Sequence, residues 1–310
     1  MNTILLIGNF GVGNLGDEAL KEYFLSRFPG VRWRVLSAHP VAGELSRLPA
    51  GICSLLSFRW LRTLYVYATC DGVVFGGGSL FTDTESVRAC FLWWLHACAA
   101  RIFRRPRYFA FQGVGPFRTR VGEWLTRSAF TGAASISVRD SLSQKRVELF
   151  KLNTKVIQTF DPVFSLLENK KHDNRTQKIF GVIPRKNSDA TLRKRLAECM
   201  RNTPFDKVVI LSLQPHDSRE ASYCSDLARD ISAEVISIRT LHALGYEVGC
   251  CSYIVTQRYH GAIAALALDI PFETVMQTEG DKLSTVTPCL GSVCAMFVEA
   301  GERALRDCLS

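Results

Sequence analysis

Apolar runs of strand length alternate along this chain with stretches whose apolar residues recur at helical spacing. Ile4-Leu5-Leu6-Ile7 suits a strand buried on both faces. It stops at Gly8-Asn9-Phe10-Gly11-Val12-Gly13-Asn14-Leu15-Gly16-Asp17-Glu18, after which Ala19-Leu20 and Tyr23-Phe24 recur as one face of a helix. Strand, glycine loop and helix make the opening of a Rossmann-like unit. A strand within 71–80 breaks into Gly76-Gly77-Gly78, a third over 108–111 breaks at Gln112-Gly113-Val114-Gly115-Pro116, and a fourth over 134–138 ends at Arg139-Asp140. After a wholly polar stretch the alternation resumes: strands over 179–183, 207–213 and 253–256, helices over 191–200, 219–231 and 262–268. The pattern predicts an α/β protein of two Rossmann-like domains with mostly parallel sheets. Their spans are 1–167 and 179–310, joined by a linker at 168–178, and the expected active site lies in the inter-domain cleft.

Composition narrows this picture. In 310 residues, 47% hydrophobic and 22% charged side chains exclude global disorder. No apolar run reaches the roughly 18–20 residues of a spanning helix. Met1-Asn2-Thr3 runs straight into the first strand without a basic leader, so a cytoplasmic location is expected. The net charge of +9 favours anionic partners. The 11 cysteines contain no Cys-x-x-Cys pair and are expected as idle reduced thiols; no metal site and no cofactor are expected.

Glycine loops at strand ends let backbone N–H groups approach an anion beside a helix N-terminus. Gly11-x-Gly13-x-x-Gly16 matches dinucleotide spacing, but basic and apolar residues around Trp33-Arg34-Val35 stand where an acidic residue is needed; no P-loop sequence occurs. Arg258-Tyr259-His260-Gly261 puts a cation and a titratable imidazole at a strand–helix junction, where an anion would meet both, or where a helix-capping His would sit beside a surface Arg. Arg185 supplies a second cation at an equivalent strand end, or a solvated loop charge. Asp17 caps the first helix or faces the cleft. Asp83 is a further acidic candidate, Asp140 reads as structural and Asp161, before Pro162, as a turn former. Aromatics and arginines over 91–107 suit either an anionic bilayer or a core helix ending in dipole-compensating cations. No nucleic-acid-binding module is recognisable.

Six segments, in order, are Gly-x-Gly-Asn-Leu-Gly-Asp-Glu-Ala (11–19), Phe-Gly-Gly-Gly-Ser-Leu-Phe-Thr-Asp (75–83), Gln-Gly-Val-Gly-Pro (112–116), Val-Arg-Asp-Ser-Leu-Ser (138–143), Asp-Pro-Val-Phe (161–164) and Arg-Tyr-His-Gly (258–261). Together they resemble the polysaccharide pyruvyl transferase family. The resemblance implies a GT-B-like fold and transfer of pyruvate from phosphoenolpyruvate to a sugar of a polysaccharide or its precursor, with ketal formation and phosphate release in exopolysaccharide or cell-envelope synthesis. Donor binding carries over to Arg185, Arg258 and His260, with Tyr259 where the family has Leu; Lys282 is a loose counterpart of the family's later Lys. On this reading His260 is the acid and Asp17 a base. Gly13, Asn14, Gly77, Gly78, Ser79 and Gln112 would face a nucleotide-linked or lipid-linked sugar acceptor. A lipid-linked acceptor would give the basic charge and the 93–107 stretch a use, in peripheral contact with the inner face of an anionic membrane. The alternatives are a GT-B glycosyltransferase using a nucleotide sugar and a non-catalytic protein that binds an anionic glycan.

Overall fold

The computed structural model describes all residues other than 85, 168–176, 187, 189, 278–281, 287–290 and 310, and divides the chain into two units, 1–162 with 296–310, and 163–295. In the first unit the chain runs through β1 (Thr3–Ile7), α1 (Leu15–Arg27), β2 (Arg32–Ser37), β3 (Leu45–Ser46), α2 (Ile52–Leu56) and α3 (Trp60–Thr69). It continues through β4 (Gly72–Phe81), α4 (Val87–Ile102), β5 (Arg107–Val114), α5 (Arg120–Phe130), β6 (Ser135–Val138), α6 (Ser141–Glu148) and β7 (Val156–Gln158). The seven strands form one parallel sheet in the order β3-β2-β1-β4-β5-β6-β7. Ile4 to Ile7 are buried on both faces, as helices on both sides of a parallel sheet require. On one face Phe75, Phe109 and Phe130 stack with ring centroids 4.6 and 4.0 Å apart; each such buried ring contributes roughly 2–3 kcal/mol.

The second unit holds α7 (Val163–Leu167), β8 (Ile179–Ile183), α8 (Ala190–Asn202), β9 (Lys207–Ser212), α9 (Ser218–Ile231), β10 (Glu234–Ser237) and α10 (Leu241–Cys250). After these come β11 (Tyr253–Thr256), α11 (Tyr259–Ala267), β12 (Phe272–Thr274) and a 3-10 turn (Lys282–Thr285). Its sheet is also parallel, in the order β10-β9-β8-β11-β12. Its core gathers Phe180, Val182, Leu192, Leu196, Ile210 and Leu227. α12 (Gly291–Leu309) starts in this unit, and from Met296 onward it belongs to the first. Short polar side chains start the helices: Asn14, Ser86, Thr119, Asp140, Asp217 and Thr240 each accept a first-turn N–H.

The boundaries at 167 and 179 are corrected. Val163, Phe164 and Leu167 are buried in the second unit, so the exchange of units falls after Pro162. The return of 296–310 to the first unit is also absent from the predicted spans. There Glu302 accepts from Tyr23 Oη at 2.9 Å and Arg27 Nε at 2.7 Å, while Asn2 Nδ2 donates to the Leu309 carbonyl at 2.9 Å. Polarity marks solvent exposure, whereas a unit boundary is a change of packing partner, and the apolar 163–167 segment gives no polar signal. Most of the predicted linker, 168–176, lies outside the described residues.

One side of α4 has the core packing that the second of the two readings of 91–107 expects. Cys90, Trp93, His96, Ala97 and Ala100 are buried. The arginines serve carbonyls at helix C-termini: Arg101 Nη2 donates to Ser128 O at 2.5 Å, Arg105 Nε to Tyr67 O at 3.0 Å, and Arg107 to Ala129, Thr131 and Gly132 at 2.6–2.9 Å. Nine cysteines, among them Cys70, Cys90, Cys199 and Cys224, are free thiols, and burial pushes the Cys90 thiol up to about 11. Among the described residues no helix is long and apolar enough to cross a membrane, and no group of three or more His, Cys, Asp or Glu is placed to hold a metal ion.

Candidate functional site

In an open parallel sheet the strand order reverses at one point, and the loops leaving the strands there diverge and open a crevice at the carboxyl ends. In the first unit that point lies between β1 and β4, and in the second between β8 and β11. The predicted residues other than Gln112 lie at or beside these two places.

At the second unit's switch point Pro184 and Arg185 leave β8, Gln257 and Arg258 leave β11, and Gln214 leaves the neighbouring β9. The Arg258 guanidinium is braced from three sides: Nε donates to Pro184 O at 3.3 Å, Nη2 to Gln214 Oε1 at 3.0 Å, and Nη2 pairs with the Glu220 carboxylate. Glu220 is fully buried and also accepts from Gln214 N at 2.7 Å and Ser212 Oγ at 3.2 Å. A buried carboxylate so committed fixes the guanidinium's direction. Arg185 is half-buried, and among the described residues its guanidinium makes no hydrogen bond or ion pair. Its backbone is tethered by Gln257, 1% exposed, whose Oε1 accepts from Arg185 N at 3.3 Å and from Ser188 Oγ.

Arg258 is the N-cap residue of α11 and gives it no side-chain cap bond; Thr256 Oγ1 holds it instead, accepting from Arg258 N and donating to Arg258 O, both at 3.0 Å. Tyr259 is 5% exposed and lies under Lys282 Nζ, 5.1 Å from the ring centroid, and its ring meets that of half-buried His260 edge-on at 5.5 Å. Glycine follows because a Cβ at 261 would stand 2.6 Å from Thr256 Oγ1 and 2.8 Å from Ile183 Cδ1. Arg185, Arg258, Tyr259, His260 and Lys282 therefore belong to one locality, an imidazole and three cations around a helix N-terminus.

At the first unit's switch point Asn14 caps α1 through Gly16 N at 3.2 Å, so Asp17 is not the cap. Asp17 is buried, accepts from Asn9 Nδ2 at 3.0 Å, and faces Gly78, where a Cβ would come within 3.2 Å of Oδ1; Gly78 itself has a left-handed φ of 78°. Gly77 lies over Leu20, and Gly13 is exposed at the loop tip. Ser79 Oγ accepts from Arg139 Nη2 at 2.7 Å, while Arg139 Nη1 donates to Asp161 at 2.7 Å; both members of that ion pair are 1% exposed or less. The pair joins two of the six motif segments and replaces the turn-forming role expected of Asp161. Asp140 is a helix cap, accepting from Ser143 N and Oγ at 2.7 and 2.9 Å. Burial opposes the charge of Asp83, but hydrogen bonds from the Thr119 hydroxyl and from the Arg118 and Thr119 amides hold its carboxyl below the usual range.

Gln112, expected to face the acceptor, also has a place in the sheet. It lies within β5, fully buried, with Nε2 donating to Phe75 O at 2.8 Å and Ala110 O at 3.2 Å. The strand runs on through the glycines taken to end it, so this side chain clamps the sheet. Residues missed by pattern are Arg47, Gln214, Glu220 and Gln257. Arg47 Nη2 reaches Gly8 O, Asn9 Oδ1 and Phe10 O at 3.1–3.4 Å; burial lowers its pKa against the opposing pull of Asp17. For Glu220 the available signal was a carboxylate on the first turn of a helix that follows a strand.

The family model described as polysaccharide pyruvyl transferase matches residues 14–272, a span that takes in every predicted site residue except Gly13 and Lys282. No curated protein matches the chain. Among solved structures, the chain is similar to Anabaena HepE in complex with UDP and glucose, with a TM-score of 0.61 at 12% identity over 100% of this chain and 99% of that one. It is similar also to the UDP-GlcNAc 2-epimerase of Neisseria meningitidis bound to UDP-GlcNAc, with a TM-score of 0.59 at 14% identity over 99% and 92%. The Methanocaldococcus jannaschii UDP-GlcNAc 2-epimerase gives a TM-score of 0.59 at 12% identity over 99% of each chain. At this identity the likeness shows the fold, two α/β domains of GT-B type with parallel sheets.

Proposed function

The chain belongs to the polysaccharide pyruvyl transferase family, and from that premise we propose that it transfers pyruvate from phosphoenolpyruvate to a sugar of a polysaccharide or its precursor. The observation that carries the reading is the cation-lined switch point of the second unit, where Arg258 is braced by Gln214 and Glu220 and Arg185 stands unengaged among the described residues. Phosphoenolpyruvate presents a phosphate and a carboxylate, each a match for a guanidinium fork. Lys282, over the Tyr259 ring, adds a point charge that can follow the phosphate as it leaves.

His260 delivers a proton to the methylene carbon, turning the enol C=C into a methyl group and leaving C2 cationic. A first sugar hydroxyl bonds to C2, and its proton returns to the protein. A second hydroxyl then forms the other C–O bond as the C2–O bond to phosphate breaks, its proton leaving with the inorganic phosphate. The ring closes as a ketal, and the step uses no cofactor because the donor carries its own leaving group. Acceptor binding falls to the first unit, at the loop that Asn9, Asp17 and Arg47 hold together, with Asp17 as the base proposed for a hydroxyl proton and Gly13, Asn14, Gly77, Gly78 and Ser79 beside it.

The test is phosphate release from phosphoenolpyruvate across a panel of nucleotide-linked and lipid-linked sugars, with His260→Ala and Arg258→Lys alongside the parent. Acceptor-dependent release that is lost in His260→Ala while the variant stays folded supports the reading. Turnover of a UDP-sugar without phosphate release from phosphoenolpyruvate would make the chain a glycosyltransferase instead.

A further inference from the structure

Residues 52–65 carry a face that the transfer chemistry does not use. Ile52, Leu56, Phe58 and Tyr65 are 62–76% exposed, and Leu55 and Leu61 about half exposed. Between Glu44 and Asp71 the sequence has no acidic residue, while Arg59 and Arg62 are exposed among these apolar side chains. The segment is firmly mounted from its other side. Thr63, Val66 and Tyr67 of α3 are buried, Thr63 Oγ1 donates to Ser46 O at 2.5 Å, and Trp60 Nε1 donates to Leu55 O at 2.9 Å across the turn where Phe58 takes a left-handed φ of 53°.

We propose that this face docks on an anionic lipid bilayer. Large apolar side chains this exposed stand out from the surface, and acyl chains receive them without a matching groove. Arg59 and Arg62 reach headgroup phosphates from the same segment, and Tyr65 offers an exposed ring with a polar tip suited to the headgroup level. The absence of any carboxylate over 45–70 removes the repulsion that an anionic surface would otherwise meet. A protein partner would have to present a pocket for each of the six apolar side chains in turn. The exposed side chains of this face differ from the α4 stretch at 91–107, where Arg101, Arg105 and Arg107 serve helix carbonyls.

The experiment is cosedimentation of the full chain with vesicles of phosphatidylglycerol and phosphatidylcholine, against phosphatidylcholine alone, at low and high salt. The parent protein is expected to pellet with the anionic vesicles and much less with neutral ones. Leu56→Ser with Phe58→Ser, and separately Arg59→Gln with Arg62→Gln, should each lower the apparent vesicle affinity on the order of tenfold or more. Because these side chains face solvent, melting temperatures should stay within a few degrees of the parent. Failure of the parent to pellet, or equal pelleting of the variants, overturns the proposal. So does a dimer that Phe58→Ser dissociates without any vesicle binding, since a second copy would then cover the face. The readout contains no phosphoenolpyruvate, so its failure leaves the transferase reading untouched.

Discussion

His96 gives the first unit a dependence on pH that can be worked from its surroundings. The ring is fully buried on α4, with Nε2 accepting from Leu48 N at 3.2 Å and Nδ1 2.7 Å from Tyr67 Oη. Acceptance at Nε2 places the ring hydrogen on Nδ1, and a second proton would destroy the bond from Leu48. Burial, helped by the nearby Arg47 charge, pushes the His96 pKa from 6.5 down to about 3. The unfolded chain therefore binds the proton between pH 6.5 and 3 and the folded chain does not. Stability is complete above pH 6.5 and falls as the pH drops, by at most about 1.4 kcal/mol per pH unit, so about 2 kcal/mol is lost by pH 5. All five tryptophans lie within 33–124, and fluorescence during urea unfolding reads this unit alone. His96→Gln keeps an acceptor for Leu48 and a donor for Tyr67 but cannot take up a proton. Between pH 7 and 5 the parent should lose about 2 kcal/mol more than His96→Gln, seen as a larger fall in the urea midpoint. Parallel losses in the two proteins would refute the reasoning.

Asp161→Asn leaves Arg139 charged and fully buried without its carboxylate, and should cost about 3–5 kcal/mol, lowering the first unit's melting temperature by roughly 6–15 °C in differential scanning calorimetry. Gln112→Ala removes two bonds to backbone carbonyls and should cost about 1–3 kcal/mol in urea unfolding; an unchanged acceptor KM would make its role structural, and a raised one would assign it to the acceptor. Glu220→Gln releases one brace of Arg258, and steady-state kinetics should show the phosphoenolpyruvate KM rising about tenfold with little change in acceptor KM.

The strands that hold the site were legible because both faces of a parallel sheet are buried and each strand reads as an unbroken apolar run. The run over 179–183 matches β8 residue for residue, and 253–256 matches β11. β3, with two residues, and β10, with Glu234 and Val235 exposed at the sheet edge, have no such run to read. At the site, Arg258 and His260 were legible because charge at a strand–helix junction stands out in an apolar context. Glu220 was not, because its partner lies 38 positions away and only the neighbouring placement of β9, β8 and β11 brings them together. The end of the strand at Gln112 was misplaced for the opposite reason: a polar residue beside glycines resembles a loop, while β5 runs on to Val114 and Gln112 spends its amide hydrogens on carbonyls inside the sheet.

The most direct test of the donor site is isothermal titration of the protein with phosphoenolpyruvate, in parallel for Arg258→Lys and for UDP as competing ligand. Saturable binding of phosphoenolpyruvate that Arg258→Lys weakens at least about tenfold is the predicted result, since an ammonium cannot reproduce the guanidinium fork. Binding of UDP with no heat from phosphoenolpyruvate, or phosphoenolpyruvate affinity unchanged in Arg258→Lys, would contradict the account.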